Sequence, residues 1–226
     1  MIIDKYNIRL SRLTQNDIEL VRAKRNSLEI REQMIYQKHI DEDAQLKWFN
    51  SIDNMFNLYM LIEVNGAKIG LINGKNSDFK KMESEGGIFI WDIKYHDSII
   101  PVLASVIMLD YNFLICEFKK SYIKILNSNK KAINFNKQIG YEFLSTNVKS
   151  GYNLYSISKQ KYLNKIKLLR KAIAKLTDDY SELGVQNFSF RGVSDENMQR
   201  LYGKAPNYLK HKINLVLKNE NRTILE

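Results

Sequence analysis

The sequence predicts an α+β fold, because strand and helix signals alternate along the chain. Asn65-Gly66 separates two apolar runs, residues 58–64 and 68–72, and this dipeptide is a strong signal for a two-residue β-hairpin turn. Pro101 opens a long apolar helix, since proline is favoured in the first helical turn. Residues 122–141 have the pattern of a β-α-β unit.

The first part of the chain is predicted to form a strand and two helices. In residues 8–13, apolar side chains alternate with polar or basic ones, which is typical of a strand with one solvent-exposed face. Thr14 or Asn16 can cap the helix that follows over residues 17–25, and Asp41 can cap the next. The side chains expected to face inward from this second helix are Leu46, Trp48, Phe49 and Ile52.

The later elements complete the order β-α-α-β-β-β-α-β-α-β. Residues 87–94 form a strand, and the helix opened by Pro101 continues to about residue 118. A strand over residues 122–126 leads into a short amphipathic helix, and Gly140 can take the positive φ that ends it. New strands then begin at Tyr141 and at Tyr152.

Two segments differ in composition, and we expect a domain over residues 1–157 and a basic, partly helical extension over residues 158–226. The extension holds 14 Lys and Arg against 7 Asp and Glu, whereas residues 1–155 hold 21 against 18. Residues 159–176 form an amphipathic basic helix, which can dock on its own domain, on a sister subunit as a homo-oligomer, or on a membrane surface. Its predicted apolar stripe is Leu163, Ile166, Leu169, Ile173 and Leu176.

Composition excludes several classes of protein. No apolar run approaches the roughly 18 residues of a membrane span, and the N-terminus lacks the features of a secretory signal, so we expect a cytoplasmic location. A single cysteine and three separated histidines give no metal-ligand spacing. The net charge of +10 favours anionic partners, but no motif that reads nucleic acid accompanies it.

A spaced motif follows the strand at residues 122–126. Its members are Asn129, Ala132, Ile133, Gly140 and Tyr141. With this motif, the order of elements and the stretch Leu-Asp-Tyr-Asn-Phe at 109–113, residues 8–157 resemble the GNAT acyltransferase superfamily, whose members move an acyl group from coenzyme A to an amine. The resemblance implies a central mixed, mostly antiparallel sheet flanked by helices, here with an added basic C-terminal helical segment.

The resemblance also implies an acyl-coenzyme A thioester as co-substrate and no metal. The residues it places against coenzyme A are Ile93, Lys94, Tyr95, Ser98, Ile99, Ile100, Asn129 and Asn136. Family members hold the pyrophosphate with a glycine-rich turn before the central helix, whereas this chain has His-Asp-Ser-Ile-Ile-Pro at 96–101. Pro101 lacks an N–H group, and Asp97 would repel phosphate unless turned away. Either the cofactor is placed differently here or its binding is lost.

Catalytic groups are also implied by the resemblance. Many family enzymes protonate the departing thiolate with a tyrosine that corresponds to Asn136, and an amide cannot lose a proton at neutral pH. Solvent or Tyr95 could then deliver the proton. A carboxylate on or near the strand at 87–94 often activates the amine, and the candidates are Asp92, which interrupts an apolar strand, and Glu85. A purely hydrogen-bonding role for Asp92 stays open.

The front third of the chain resembles a branch of the superfamily that acylates amino sugars carried on nucleotide diphosphates for surface polysaccharides. The predicted acceptor residues are Arg25, Asn26, Arg31, Met34, Tyr36, Trp48 and Trp91. Arginines pair with diphosphate, aromatic rings stack on a base or sugar, and methionine packs against a deoxy-sugar methyl group. Trp48, at helical spacing with Phe49, can instead belong to the core.

Three functions follow from these patterns. The first is an N-acyltransferase that uses acetyl-coenzyme A, or a larger donor such as hydroxybutanoyl-coenzyme A, on a nucleotide-linked amino sugar. The second is an acetyltransferase for a protein N-terminus or a small amine, which would favour acidic walls around the acceptor. The third is a non-catalytic binding module that uses the basic tail.

Overall fold

One sheet organises the chain. A computed structural model describes residues 1–225, and within these residues nine strands form a single sheet in the order β7-β8-β6-β5-β4-β3-β2-β1-β9. The strands are β1 Ile2–Lys5, β2 Ile8–Arg12, β3 Leu58–Val64, β4 Ala67–Asp78, β5 Glu83–Ile90, β6 Lys120–Leu126, β7 Glu142–Asn147, β8 Tyr152–Ser158 and β9 Phe188–Ser189. Among the described strand pairs, β5 and β6 alone run parallel.

Helices cover both faces of the sheet. They are α1 Ile18–Asn26, α2 Leu28–Arg31, α3 Glu42–Ile52, α4 Ile100–Asp110, α5 Lys130–Ile139, α6 Lys159–Thr177, α7 Asp195–Tyr202 and α8 Asn207–Asn219. The front face is the one where α1 and α3 pack on β3 and β4 in a small core that includes Val21, Phe49 and Leu71. The back face carries the main core, which α4 crosses with residues 103–110 all buried.

The local signals for turns and caps are confirmed. Asn65 and Gly66 have φ values of 50° and 78°, as the tight hairpin turn requires. The Asp41 side chain accepts a hydrogen bond of 2.7 Å from the N–H group of Ala44 and caps α3. Gly140 ends α5 with φ at 117°, a conformation that few residues other than glycine adopt.

Several predicted boundaries are wrong. β5 ends at Ile90 rather than at residue 94, because the chain turns into a short 3₁₀ helix at Ile93–Tyr95. α4 ends at Asp110 and continues as a π-helical turn, Tyr111–Ile115, before Glu117 takes a positive φ. β1, β9 and α8 lie outside the predicted order of elements, since short strands and a polar helix give weak local signals.

Two predicted inward-facing side chains are exposed instead. Leu46 is 39% exposed, and Gln45 occupies the buried position beside it, where its side chain donates a hydrogen bond to the carbonyl of Ile18. Leu176 is 69% exposed near the end of α6, whereas Ile166 and Ile173 on the same helix are buried. A helix can thus bury a polar residue and expose an apolar one when tertiary contacts decide.

The C-terminal segment packs into the same core as the preceding residues. β9 pairs with β1, joining Phe188 to Ile3, and the main core contains residues of α6, α7 and α8. α6 packs on its own chain rather than standing free. The segments on the two sides of residue 157 therefore share one core, and the boundary proposed there stays a prediction about organisation.

A buried ion pair fixes α6 to α4. Asp110 is fully buried, and Arg170 donates two hydrogen bonds to its carboxylate at 2.8 and 2.9 Å. The Tyr162 hydroxyl donates a third at 2.8 Å. These bonds satisfy a carboxylate that would otherwise lie without compensation in an apolar core.

We expect the Arg170→Met substitution to lower the free energy of unfolding by about 3–5 kcal/mol, because it leaves the Asp110 carboxylate buried without its cation. Urea denaturation at neutral pH measures the change. Lys171→Met, at the next and exposed position of the same helix, serves as the control and should change stability by no more than about 0.5 kcal/mol. Equal effects of the two substitutions would show that the pair does not hold α6.

Candidate active site

The parallel strands β5 and β6 separate after four residue pairs. They are paired from Glu83 and Lys120 to Gly86 and Ile123, and beyond that point β5 continues to Ile90 while β6 follows β8 to Leu126. We call the opening between residues 87–90 and 124–126 the slot. Residues 85–89 are partly exposed although β5 lies in the middle of the sheet. Backbone N–H and C=O groups of β5 can therefore meet a ligand there.

Three residues predicted to bind the cofactor lie at the open end of the slot. Ile93, Lys94 and Tyr95 form the 3₁₀ turn that follows β5, and Ile93 is 72% exposed. The Lys94 ammonium lies 4.8 Å from the centre of the Tyr95 ring. These residues lie beyond the end of β5. A ligand that contacted them would therefore meet a turn and could not pair with them as with a β-strand.

In the turn before α4, two backbone N–H groups already donate hydrogen bonds to neighbouring residues. The N–H group of Ser98 donates to the carbonyl of Tyr95 at 3.2 Å, and the N–H group of Ile100 donates to Ser98 Oγ at 3.2 Å. Pro101 has no N–H group to offer. Among Ser98, Ile99 and Ile100, which are predicted to bind coenzyme A, Ile99 is the residue whose N–H group takes part in neither of these bonds. A ligand phosphate would have to compete for the other two.

Asp97 does not stand as an isolated negative charge. Its carboxylate meets Lys131 Nζ at 2.6 Å, and both side chains are exposed. The hydrogen bond and the charge of Lys131 lower the pKa of Asp97. Lys131 lies in the first turn of α5, just after β6, whereas Asp97 follows β5. The pair therefore connects the two sides of the slot at its open end.

The two motif asparagines bond to their own helix. Asn129 Oδ1 accepts a hydrogen bond of 3.0 Å from the N–H group of Ala132, which makes Asn129 the N-cap of α5. Asn136 Nδ2 donates to the carbonyl of Ala132 at 2.8 Å. Both contacts serve the local fold, and the predicted cofactor and catalytic roles of Asn129 and Asn136 stay predictions.

Asp92 does not interrupt a strand, which corrects the reason for choosing it as a base. It follows the end of β5 and accepts a hydrogen bond of 3.3 Å from the N–H group of Lys94, whose ammonium also lies 3.3 Å from the carboxylate. Six residues of extended chain span roughly 20 Å. Asp92 is thus far from the point near Gly86 where β5 and β6 part.

Glu85 lies next to that point, on the front face, between two lysines. Lys124 Nζ is 2.7 Å and Lys75 Nζ is 3.1 Å from its carboxylate oxygens. Burial alone would raise the pKa of Glu85, but the hydrogen bond from Lys124 and the charge of Lys75 outweigh it, and the pKa is lowered. A carboxylate held in this way is a weak base, although it can orient a substrate group.

Arg25 is half-buried on the front face, and no described carboxylate pairs with it. Its guanidinium lies 5.8 Å from the centre of the Phe89 ring, close enough for a cation-π contact, and burial lowers its pKa. Among residues 1–225, Arg25 Nη1 has no hydrogen-bond partner. Burial also raises the pKa of the neighbouring Tyr59 to about 12, so this hydroxyl stays protonated. Arg25 Nη2 donates to the carbonyl of Tyr36 at 3.5 Å, so the guanidinium has a neutral partner but no counter-charge, and this suits an anionic ligand.

The other predicted acceptor residues divide into two groups. Asn26 bonds both the N–H and the carbonyl of Ile40, which ties α1 to the loop after α2. Trp48 packs edge-on against Tyr59 at 5.1 Å, and Trp91 donates to the carbonyl of Lys68 at 2.9 Å, so both rings belong to the front core. The remaining residues, Arg31, Met34 and Tyr36, lie in the partly or fully exposed stretch that follows α1.

The sequence motif does not reveal what the Tyr141 hydroxyl does. This group shares a hydrogen bond of 2.9 Å with Ser121 Oγ and lies 3.7 Å from the position that a Cβ atom on Gly86 would occupy. Burial raises the pKa of Tyr141 to about 12. The hydroxyl is therefore a hydrogen-bond donor at neutral pH and a weaker acid than a thiol.

The protein is similar to known proteins in its three-dimensional structure. No protein-family model matches the sequence, and no curated protein is similar to it. A spermidine N-acetyltransferase from Vibrio cholerae, solved in complex with CoA and spermine, aligns with a TM-score of 0.64 at 19% identity over 71% of this chain and 100% of that one. A domain from Methanocaldococcus jannaschii aligns with a TM-score of 0.59 at 20% identity, over 67% and 97% of the two chains.

A dodecameric structure of the Vibrio cholerae enzyme aligns as well, with a TM-score of 0.58 at 18% identity over 71% of this chain and 99% of that one. The chain has the GNAT fold. The predicted fold class, a mixed and mostly antiparallel sheet flanked by helices, is thereby confirmed. Within residues 1–225, no helix is long and apolar enough to cross a membrane, and no three His, Cys, Asp or Glu side chains are grouped to hold a metal ion.

We expect Glu85→Gln to lower the free energy of unfolding by about 1–3 kcal/mol at pH 7, because it removes the charge between Lys75 and Lys124. The folded-state pKa of Glu85 is lowered, so its contribution is complete above the ordinary value of about 4.3 and disappears as the pH falls through the lowered pKa. Urea denaturation at pH 7 and at pH 3 should show the difference between wild type and variant shrinking.

Glu32→Gln, at an exposed position, is the control and should change stability little at either pH. A difference between wild type and Glu85→Gln that stayed constant from pH 7 to pH 3 would contradict the proposed charge cluster.

Proposed function

We propose that this protein is an acyl-coenzyme A-dependent N-acyltransferase for a small primary amine. The observation that carries the proposal is the slot, since β5 and β6 part after Gly86 in the middle of a sheet whose fold is shared with acetyltransferases. The Vibrio cholerae enzyme was solved with CoA bound to this shared fold. A thioester arm is narrow and polar along its length, and the exposed backbone groups of β5 suit it.

The proposed reaction transfers an acyl group from sulfur to nitrogen. The C–S bond breaks and a C–N bond forms, the amine loses one proton, and the thiolate gains one. Backbone N–H groups of residues 87–89 would polarise the thioester carbonyl. Binding both substrates in the slot would supply much of the acceleration through proximity. Glu85 would orient the amine from the front face, and solvent would take up and return the protons.

Two acceptors have separate support. The structures from Vibrio cholerae are named as acetyltransferases of spermidine, and one contains spermine, which supports a small polyamine here. Such a cation would have to approach Arg25, Lys75 and Lys124 on the front face, where Glu85 is already paired with both lysines.

A nucleotide-linked amino sugar is supported by the electrostatics of the front face. The Nη1 atom of the half-buried Arg25 has no partner and no carboxylate faces the guanidinium, and an anionic diphosphate would supply the missing charge. Arg31 and Tyr36, in the stretch after α1, could add a phosphate contact and a stacking surface. The Arg25 guanidinium without a counter-charge is the specific observation that supports this second acceptor.

We expect thiol release from acetyl-coenzyme A to depend on an added amine. A panel of spermidine, spermine and several nucleotide-diphosphate-linked amino sugars, each assayed with a thiol-reactive dye, measures kcat/KM for each acceptor. One acceptor class should exceed the other by at least about tenfold, because a pocket suited to an anion repels a polycation. Absence of thiol release with every acceptor and acyl donor would contradict the proposed activity.

Arg25→Gln tests the acceptor class. If the acceptor is anionic, we expect KM for the acceptor to rise by about tenfold or more with a smaller change in kcat, because the lost interaction is a charge-assisted contact in the bound state. For a polyamine, KM should stay the same or fall. Lys24→Gln, at the neighbouring position of α1, is the control and should leave KM for the acceptor unchanged.

A further inference from the structure

The face of α6 that points away from the core is basic and partly apolar. Tyr162, Ile166 and Ile173 lie on the buried face of this helix and belong to the main core. On the opposite face, Leu168 is 80% exposed and Leu176 is 69% exposed. The buried face therefore explains how α6 docks on its own chain, but it does not explain the apolar residues on the solvent side.

The exposed residues of α6 form two neighbouring rows. Residues four apart in a helix lie one above the other on its surface. The rows are a lysine row, Lys167, Lys171 and Lys175, and an apolar row, Leu168, Ala172 and Leu176. Lys165 borders the apolar row on its other side. We call these residues, all of them exposed, the lysine-leucine face.

The lysines of this face have no counter-charge within the described chain. The segment Lys159–Thr177 contains no Asp or Glu. Among residues 1–225, α6 forms ion pairs through Lys161 with Glu142 and through Arg170 with Asp110, and the lysines of the face take part in neither. Like charges at four-residue spacing destabilise a helix. A negatively charged partner would offset this cost.

The combination of positive charge and exposed leucine restricts the kind of partner. A two-fold interface with a second copy would place the same lysines against one another, and like charges disfavour that arrangement. A nucleic acid would neutralise the lysines, but its phosphate backbone would leave the leucines in water. An anionic lipid surface offers both negative head groups and an apolar layer beneath them. It is the partner that matches both rows.

The shape of the face also suits a lipid surface. At about 1.5 Å per residue, the face extends roughly 17 Å along α6 from Lys165 to Leu176. The apolar row lies between lysines, whose long stems can keep the ammonium groups among the head groups while the leucines enter the apolar layer. Asp178 and Glu182 are exposed just beyond the helix, and these acidic residues limit the face at its C-terminal end.

We propose that the lysine-leucine face docks the protein reversibly on an anionic lipid surface. The lysines lie among the head groups, and Leu168 and Leu176 lie in the layer beneath them. α6 stays parallel to the surface, since its other face remains packed in the main core. Attraction to the lipid charge and burial of apolar area both contribute to such binding. The inference is independent of the proposed acyl transfer, because none of these residues belongs to the candidate active site.

Co-sedimentation with lipid vesicles tests the inference. Vesicles of phosphatidylcholine alone are compared with vesicles that contain about 30% phosphatidylglycerol, which supplies the negative charge. For the wild-type protein we expect the partition coefficient to be at least about tenfold higher with the anionic vesicles at low salt. Raising the salt concentration to about 0.5 M should remove most of the difference, because salt screens exposed charges.

A charge variant with a matched control tests whether α6 is responsible. Replacing the lysine row by glutamine, as Lys167→Gln, Lys171→Gln and Lys175→Gln in one chain, should lower the partition coefficient for anionic vesicles by at least about tenfold. The control removes the same net charge at exposed positions elsewhere, as Lys38→Gln, Lys47→Gln and Lys80→Gln. It should retain most of the binding. Equal losses in the two variants would overturn the inference and assign the binding to net charge.

A second variant keeps every charge and removes the apolar row. Leu168→Gln with Leu176→Gln should lower the partition coefficient by about fivefold or more, because two side chains no longer leave water on docking. Binding equal to wild type would overturn the assignment to lipid and indicate a polyanion such as nucleic acid. A change of particle mass in analytical ultracentrifugation would instead assign the face to a second copy.

The wild-type protein alone can also overturn the inference. Equal binding to neutral and anionic vesicles, or binding to neither, would show that the face does not recognise an anionic lipid surface. Thermal unfolding of each variant separates a folding defect from a loss of binding, and if the lysine variant does not fold, the leucine variant decides. Thiol release has no part in these measurements, so the proposed activity and this inference stand or fail separately.

Discussion

Four residue pairs between β5 and β6 join the two parts of the sheet, and this short parallel ladder is the constraint on which the site depends. A parallel pair requires a crossover connection, which α4 provides on the back face with nearly its whole surface buried. The helix in turn is fixed at its end by Asp110 and Arg170. The crossover that joins the two sides of the slot is therefore held in place by the packed core.

Hydrogen bonding separates the polar side chains near the slot into two groups: those already bonded within the fold, and those with buried atoms that a ligand could bind. Asn129 and Asn136 complete α5, Asn26 holds a loop, and Glu85 is paired with two lysines. Arg25, Ser84 and Asn112 have buried atoms without such partners in the described chain. Arg25 lies on the front face against Phe89 of the slot, and Ser84 lies on the back face, two residues before the strands part.

The sequence predicts much of the fold because the decisive signals are local. The Asn65-Gly66 turn, the cap at Asp41 and the glycine that ends α5 depend on a few neighbouring residues, and the structure has all three. The apolar residues around Asp92 resemble a strand, and only tertiary structure shows that the chain turns after Ile90. The β-α-β motif marks β6, the strand on one side of the slot, and the role of the slot as a site stays a prediction. Which of its polar atoms lack partners depends on contacts among residues far apart in sequence.

The pairing of β9 with β1 has a consequence for synthesis on the ribosome. Ile3 emerges early, but Phe188, its partner on the outer side of the sheet, leaves the exit tunnel only after all the other strands have been made. Until then the outer edge of β1 presents free backbone groups, the kind of edge that invites pairing with other chains. A nascent chain stalled before residue 188 should therefore be a better client for chaperones that cover strand edges than the completed protein.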